Sequence, residues 1–164
     1  MSKDEIALTA YCGLYCGDCI RYRSRAADLA RDLLSELRAT EFGRYAAVKS
    51  QSVNSVRELK YYEQCREVLE AIVGLRCNEP CRVGGGCKAF SCSIVECCQK
   101  KGYQGCWECD SYENCSQFAS LKPFHGEYPL QNLRKIREFG LDRWAKHRQK
   151  FYMWQENKSL QSSE

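Results

Sequence analysis

The sequence predicts a mainly α protein in which amphipathic helices pack with an irregular, cysteine-rich metal-binding lobe. Three observations predict it. Apolar residues recur at helical spacing through residues 22–75 and again beyond residue 116. Strand-like alternation is weak throughout, with Arg44–Lys49 the one arguable stretch. Nine of the 13 cysteines fall within residues 76–115, beside the run Gly84-Gly85-Gly86. A glycine run resists regular structure unless something anchors it, and flanking metal ligands would do so.

The length of 164 residues fits one domain, 1–164, and suffices to bury a core without help from a metal. Within it the metal lobe is expected from residues 11–19 and 76–115, with helical parts at 22–75 and 116–155. No internal repeat or proline-rich linker is evident.

The first helix is expected from about Arg23 to Ala39, because Ala26, Leu29, Leu33 and Leu37 form one apolar stripe. A second follows on Val56, Leu59, Cys65, Leu69 and Ile72, with Ser52 or Ser55 as its cap and Gly74 at its end. Cys65 reads as a small buried hydrophobe on that face. A short helix is expected from Ser93 to Lys101, closed by Gly102. Leu130, Leu133, Ile136 and Phe139 mark another, closed by Gly140. A last one carries Leu141, Trp144, His147 and Phe151.

The N-terminus is charged and has no apolar core of signal-peptide length, and no apolar run reaches membrane-spanning length. A cytoplasmic location is therefore expected, where thiols stay reduced and clustered cysteines read as metal ligands. The odd cysteine count agrees, since 13 cannot pair completely within one chain.

The spacings support metal. Cys12, Cys16 and Cys19 form a C-x3-C-x2-C loop, Cys77 and Cys81 a C-x3-C turn, and Cys106 and Cys109 a C-x2-C knuckle. Cys92, Cys97 and Cys115 lie nearby. Zinc takes four ligands in a tetrahedron with sulfur at about 2.3 Å, and two such turns close one site. About two zinc ions are expected. One partition joins Cys77 and Cys81 to Cys106 and Cys109, and joins Cys16 and Cys19 to Cys92 with Cys97 or Cys115. Of the neighbours Cys97 and Cys98, the first is read as ligand and the second as packing; Cys87 is left open. His125, in a Pro-Phe-His-Gly turn, is a lesser candidate for a fourth ligand. A structural zinc site is worth roughly 10–16 kcal/mol of apparent binding energy. That rivals the roughly 5–15 kcal/mol of a whole domain.

Three other functions compete. An iron–sulfur cluster uses the same thiolates. The loop spacing is also that of radical S-adenosylmethionine enzymes, but no βα pattern follows it. A redox role would use Cys106 and Cys109. A basic nucleic-acid-binding module would use Arg134, Lys135, Arg137, Arg143, Lys146, Arg148 and Lys150, with Trp144, Tyr152 and Trp154 interleaved. The whole excess of the +4 net charge lies in residues 122–164, a mild bias that a solvated helix face also explains. No phosphate loop, H-E-x-x-H or nucleophile elbow is present. A binding module, with a protein partner or none, is thus favoured over an enzyme.

Three strings carry a resemblance: Tyr11-Cys-Gly-Leu-Tyr-Cys-Gly-Asp-Cys19, Cys92-Ser-Ile-Val-Glu-Cys-Cys-Gln-Lys-Lys-Gly102, and Gly105-Cys-Trp-Glu-Cys109 followed by Cys115. With Leu121–Gly126 and Asn132–Gly140 they resemble the bacterial and archaeal family called domain of unknown function 3795. The resemblance implies zinc bound through cysteines, without an assigned reaction. Carried over by position, its metal candidates are Cys12, Cys16, Cys19, Cys77, Cys81, Cys92, Cys97, Cys106, Cys109 and Cys115. The family's middle pair often reads C-x2-C, where this chain has Cys77-Asn-Glu-Pro-Cys81, and Cys87 is an addition.

Overall fold

The computed structural model describes residues 3–51, 56–86 and 92–148. The architecture is mainly helical, with one isolated antiparallel bridge, Thr9 to Tyr15, among the described residues. The chain forms two compact units, one of residues 23–78 and the other of residues 1–22 and 79–164.

The 23–78 unit is built on α2 (Arg25–Ala39) and α4 (Tyr62–Gly74), with α3 (Phe42–Lys49) between them; α1 (Lys3–Ala7) belongs to the other unit. Ser24 caps α2 by accepting the Ala27 N–H at 3.3 Å. The buried line of α2 is Ala27, Ala30 and Leu34, one position on from the expected stripe; Leu29 and Leu33 are exposed. Small alanines let two helices approach closely, so the tight line wins over the line of larger residues. Ion pairs stitch α2 to α4 and the residues just after it: Arg38 meets Glu70 of α4 at 2.9 Å, and Arg76, two residues past α4, grips Asp28 at 2.8 and 3.2 Å. The hydrogen bond from Arg76 holds the Asp28 carboxyl below its ordinary value.

Arg44–Lys49 is helix, not strand. Within α3, Phe42 meets Tyr45 at 5.4 Å and Tyr62 of α4 at 5.5 Å with the rings tilted, while Ala46 is buried. The second expected helix begins with a 3-10 stretch, Arg57–Tyr61, before α4. Its expected caps, Ser52 and Ser55, lie outside the described residues. Cys65 is on α4 but exposed. The half-buried stripe is Tyr62, Arg66, Leu69 and Val73, and each residue step turns the helix by about 100°, which leaves Cys65 beside that stripe.

The other unit holds α5 (Ser93–Lys101), α6 (Lys122–His125), α7 (Tyr128–Phe139) and a 3-10 turn at Trp144–His147. Gly102, in the left-handed region at φ +68°, closes α5 as expected, and Gly140 closes α7. The last element is shorter than the expected helix, and its continuation past Arg148 lies outside the described residues. The core gathers Tyr15, Ile94, Trp107, Tyr112, Phe118, Leu133, Ile136 and Trp144, with Cys98 and Cys106 among them. Leu133 and Trp144 are fully buried.

The N-terminal loop is seated on α7. Gly13, at φ +84°, puts its Cα so near that an added Cβ would lie 2.9 Å from the Pro129 carbonyl and 3.0 Å from Leu133. No helix among the described residues is long and apolar enough to cross a membrane.

Candidate metal centre

Each C-x2-C turn is one turn of 3-10 helix. Cys19 N–H donates to the Cys16 carbonyl at 3.0 Å, and Cys109 N–H donates to the Cys106 carbonyl at 3.0 Å. The next turn repeats: Tyr22 N–H reaches Cys19 at 3.0 Å, and Tyr112 N–H reaches Cys109 at 3.3 Å. The two stretches share a pattern, Cys-x-acid-Cys-x-x-Tyr, in Cys16–Tyr22 and Cys106–Tyr112. A short internal repeat is therefore present after all.

In each knuckle the acid is pinned. Asp18 receives a two-pronged grip from Arg148, at 2.7 and 2.9 Å. Glu108 accepts the Gln104 N–H at 2.8 Å. Arginines also fix the backbones. Arg137, from α7, donates to the Trp107 carbonyl at 2.6 Å and the Cys109 carbonyl at 3.0 Å, and lies over the Tyr112 ring at 4.8 Å. Arg82 donates to the Thr9 carbonyl at 2.6 Å and the Gln104 carbonyl at 2.7 Å, between the rings of Tyr11 and Trp107. Burial lowers the Arg82 pKa, and the sulfurs of Cys81, Cys98 and Cys16 lie near enough to counter that.

No disulfide joins the described cysteines to one another. Two groups of sulfurs emerge, and they adjoin, since Cys12 of the first stands near enough to Cys106 of the second to raise its thiol further. In the first, Cys12 is half-buried, and its pKa is raised chiefly by that burial; Cys81, Cys92 and Cys16 stand near enough to add to the rise, with Cys92 itself exposed. Its sulfur accepts the Leu14 N–H, and the Cys16 sulfur accepts the Cys81 N–H at 3.4 Å. N–H groups aimed at sulfur favour the thiolate that a metal needs.

In the second group, Cys97, Cys98, Cys106, Cys109 and Cys115 line one cavity of about 140 Å³. Cys98 and Cys106 are buried with their sulfurs 3.7 Å apart. Burial pushes both thiols up, Cys106 the further of the two. Cys109 is lowered instead, by the Ser111 hydroxyl at 3.4 Å and the Ser111 N–H. Among the described residues no group of three or more Cys, His, Asp or Glu side chains is arranged to hold a metal ion as it stands.

This grouping differs from the expected partition. Cys81 stands with Cys12 and Cys16, not with Cys106 and Cys109. Cys97 and Cys115 stand with Cys106 and Cys109, not with Cys16. Cys19 closes the first knuckle and is half-buried. Cys77 lies in the 23–78 unit, where its carbonyl accepts the Arg23 N–H at 2.8 Å. Cys87 is outside the described residues. The residue that sequence reasoning set aside is Cys98, which faces the core from α5; its neighbour Cys97 turns more to the surface, yet both reach the cavity. His125 ends α6, and burial lowers its pKa. His147 stacks flat on Phe139 at 3.8 Å.

The basic residues of the C-terminal part are largely engaged within the chain. Besides Arg137 and Arg148, Arg134 pairs with Glu113 at 2.7 Å, Lys135 donates to the His147 carbonyl at 2.6 Å, and Arg143 donates to the Phe139 carbonyl at 3.1 Å. Trp144 packs inward. Lys150, Tyr152 and Trp154 lie outside the described residues.

Helices and turns that gather cysteines define a mainly helical, cysteine-rich protein. The family model described as "Protein of unknown function (DUF3795)" matches residues 8–120, and the chain belongs to that family. No curated protein and no solved structure matches the chain.

Proposed function

We propose that the chain is a zinc-binding protein of a reducing, cytoplasmic-type compartment, whose metal holds the cysteine lobe together. The observation that carries the reading is the Cys81 N–H donating to the Cys16 sulfur at 3.4 Å, with half-buried Cys12 and exposed Cys92 near enough to interact electrostatically. These four come from three separate stretches of chain. Bringing them together costs chain entropy, and thiols alone return little of it. A shared ion offsets that cost by closing the loops.

The donor set fits zinc. Four thiolates complete a tetrahedral, closed site. The Cys16 sulfur already contacts the turn that bears Cys81. Four thiolates around a divalent ion leave a net double negative charge. Arg82, half-buried and without a carboxylate partner among the described residues, supplies the positive charge beside Cys16 and Cys81. The cations clamping the knuckles explain the basic excess of the C-terminal part better than a nucleic-acid surface does.

The test is a zinc competition titration on the reduced full chain with a chromophoric chelator. Tight uptake that weakens at least tenfold in Cys12→Ser and Cys16→Ser supports the reading. A reduced chain that takes up no zinc sinks it. Hydrogen exchange should then show protection of residues 8–19 lost on chelation, while α2 and α4 keep theirs.

A further inference from the structure

The second sulfur group has a property that a lone ion does not explain. A cavity needs roughly 10–15 Å³ to admit one water-sized particle, and this one measures about 140 Å³. A single zinc ion draws its thiolates in to about 2.3 Å and leaves no such space between them. Five sulfurs nevertheless line this cavity.

We propose that the cavity lined by Cys97, Cys106, Cys109 and Cys115 is the seat of an iron–sulfur cluster. This deepens the metal-thiolate reading and rests on it, while assigning the second site a different occupant from the first. In such a cluster each iron takes one cysteine, and bridging sulfides fill the space between the irons. The ligands therefore stand apart around a bulky centre rather than converging on a point. Buried apolar side chains, Ile94 and Phe118, form part of the wall.

Three further features suit that occupant. The Oε1 atom of Gln117, which lines the cavity, is buried without a hydrogen-bond partner. The two ends of an amide exchange by a half turn. Turned, Gln117 presents an N–H to a bridging sulfide, the kind of contact that tunes a cluster from outside its ligands. Lys101 lines the same cavity and bears positive charge on Cys109, which complements the negative charge of a four-thiolate cluster. Five sulfurs for four irons leave one over. Cys98, buried on α5 and 3.7 Å from the Cys106 sulfur, is placed to donate S–H to that ligand instead of binding iron.

The experiment uses the reduced full chain in the absence of oxygen, incubated with equal amounts of ferrous and ferric iron and with sulfide, so that two irons of each kind and four sulfides make up the cluster, and then desalted. Iron, acid-labile sulfide and zinc are measured with the visible absorption spectrum. The expected result is about four iron and four sulfide per chain with a brown sulfide-to-iron absorption. Both should be lost in Cys109→Ser and Cys115→Ser and kept in Cys16→Ser. The wild-type loading needs no variant to fold. A chain that binds zinc but carries no labile sulfide overturns the cluster and leaves the zinc reading standing. A chain that binds neither metal overturns both. A cluster that forms equally in the Cys109→Ser and Cys115→Ser chains also overturns the assignment, because it is then not seated in this cavity.

Discussion

Arg148 holds Asp18 with two parallel hydrogen bonds, at 2.7 and 2.9 Å, across 130 residues of sequence. Only 13% of the arginine side chain and 15% of the aspartate side chain are exposed. The same guanidinium lies 4.0 Å over the Tyr15 ring and donates to the Ala145 carbonyl. One side chain thus fixes the turn between Cys16 and Cys19, the ring before it and the last 3-10 turn. Asp18→Asn keeps the shape but loses the charge pairing, and about 2–3 kcal/mol of unfolding free energy should go with it. Arg148→Lys should not restore it, because an ammonium cannot reproduce the fork. Urea unfolding of the three chains checks this. An Asp18→Asn chain as stable as the parent would show that the pair adds nothing.

The Trp144 indole makes a comparable link at the centre of the core. Its N–H donates to Thr9 Oγ at 3.1 Å, and the hydroxyl passes its own proton to the Glu5 carbonyl at 3.2 Å. Thr9 and Trp144 are both fully buried. Trp144→Phe leaves the hydroxyl without a donor and should cost about 1–2 kcal/mol beyond any packing loss. Adding Thr9→Val to that chain should recover part of the cost, since removing both polar partners is cheaper than removing one. A double-mutant cycle with no coupling between the two positions would count against the link.

How much of this was legible differs by element. The α5 boundaries were, because Gly102 marks an end that local chemistry alone enforces. The α2 stripe was displaced by one residue, because a reading that ranks leucine above alanine misses how closely two helices approach at Ala27 and Ala30. On α4 the expected stripe was right at Leu69 and Ile72 but not at Cys65, whose place the long side chains of Tyr62 and Arg66 take. Each C-x2-C turn was readable, since its hydrogen bond spans three residues. Which turn meets which was not, because the pairing of Cys81 with Cys16 depends on tertiary packing that spacing does not encode. The arginine clamps were also hidden: nothing local distinguishes Arg137 or Arg148 from a solvated basic residue. The repeat of Cys16–Tyr22 in Cys106–Tyr112 was visible in the letters, but only the shared hydrogen bonds show that it matters.

Gly105 sits ahead of the second knuckle for a steric reason. Its backbone is extended, a shape open to any residue, but an added Cβ would lie 2.1 Å from the Trp107 ring. Gly105→Ala must therefore push Trp107 off the guanidinium of Arg82 or shift the turn itself. Overpacking of this kind costs about 1–3 kcal/mol. The near-ultraviolet circular dichroism of the tryptophans should change with it, while helix content holds. An alanine chain with parental stability and an unchanged tryptophan signal would mean that the ring moves aside freely.

His125 gives the fold a pH dependence whose sign is fixed by burial. Its pKa is lowered from the ordinary value of 6.5 because the charged form loses solvation at the end of α6. The unfolded chain therefore takes up a proton at this position on passing below pH 6.5, while the native chain resists until lower pH. In that interval the unfolded state binds more protons, so stability rises with pH. The contribution is complete above the unfolded value and is lost as the pH falls below it. Urea midpoints should accordingly drop more steeply between about pH 7 and about pH 5.5 for the parent than for His125→Gln, whose side chain does not titrate. Comparing the two chains cancels the carboxylate and thiol titrations they share. Parallel midpoint curves across that range would show that the imidazole is solvated in the native state.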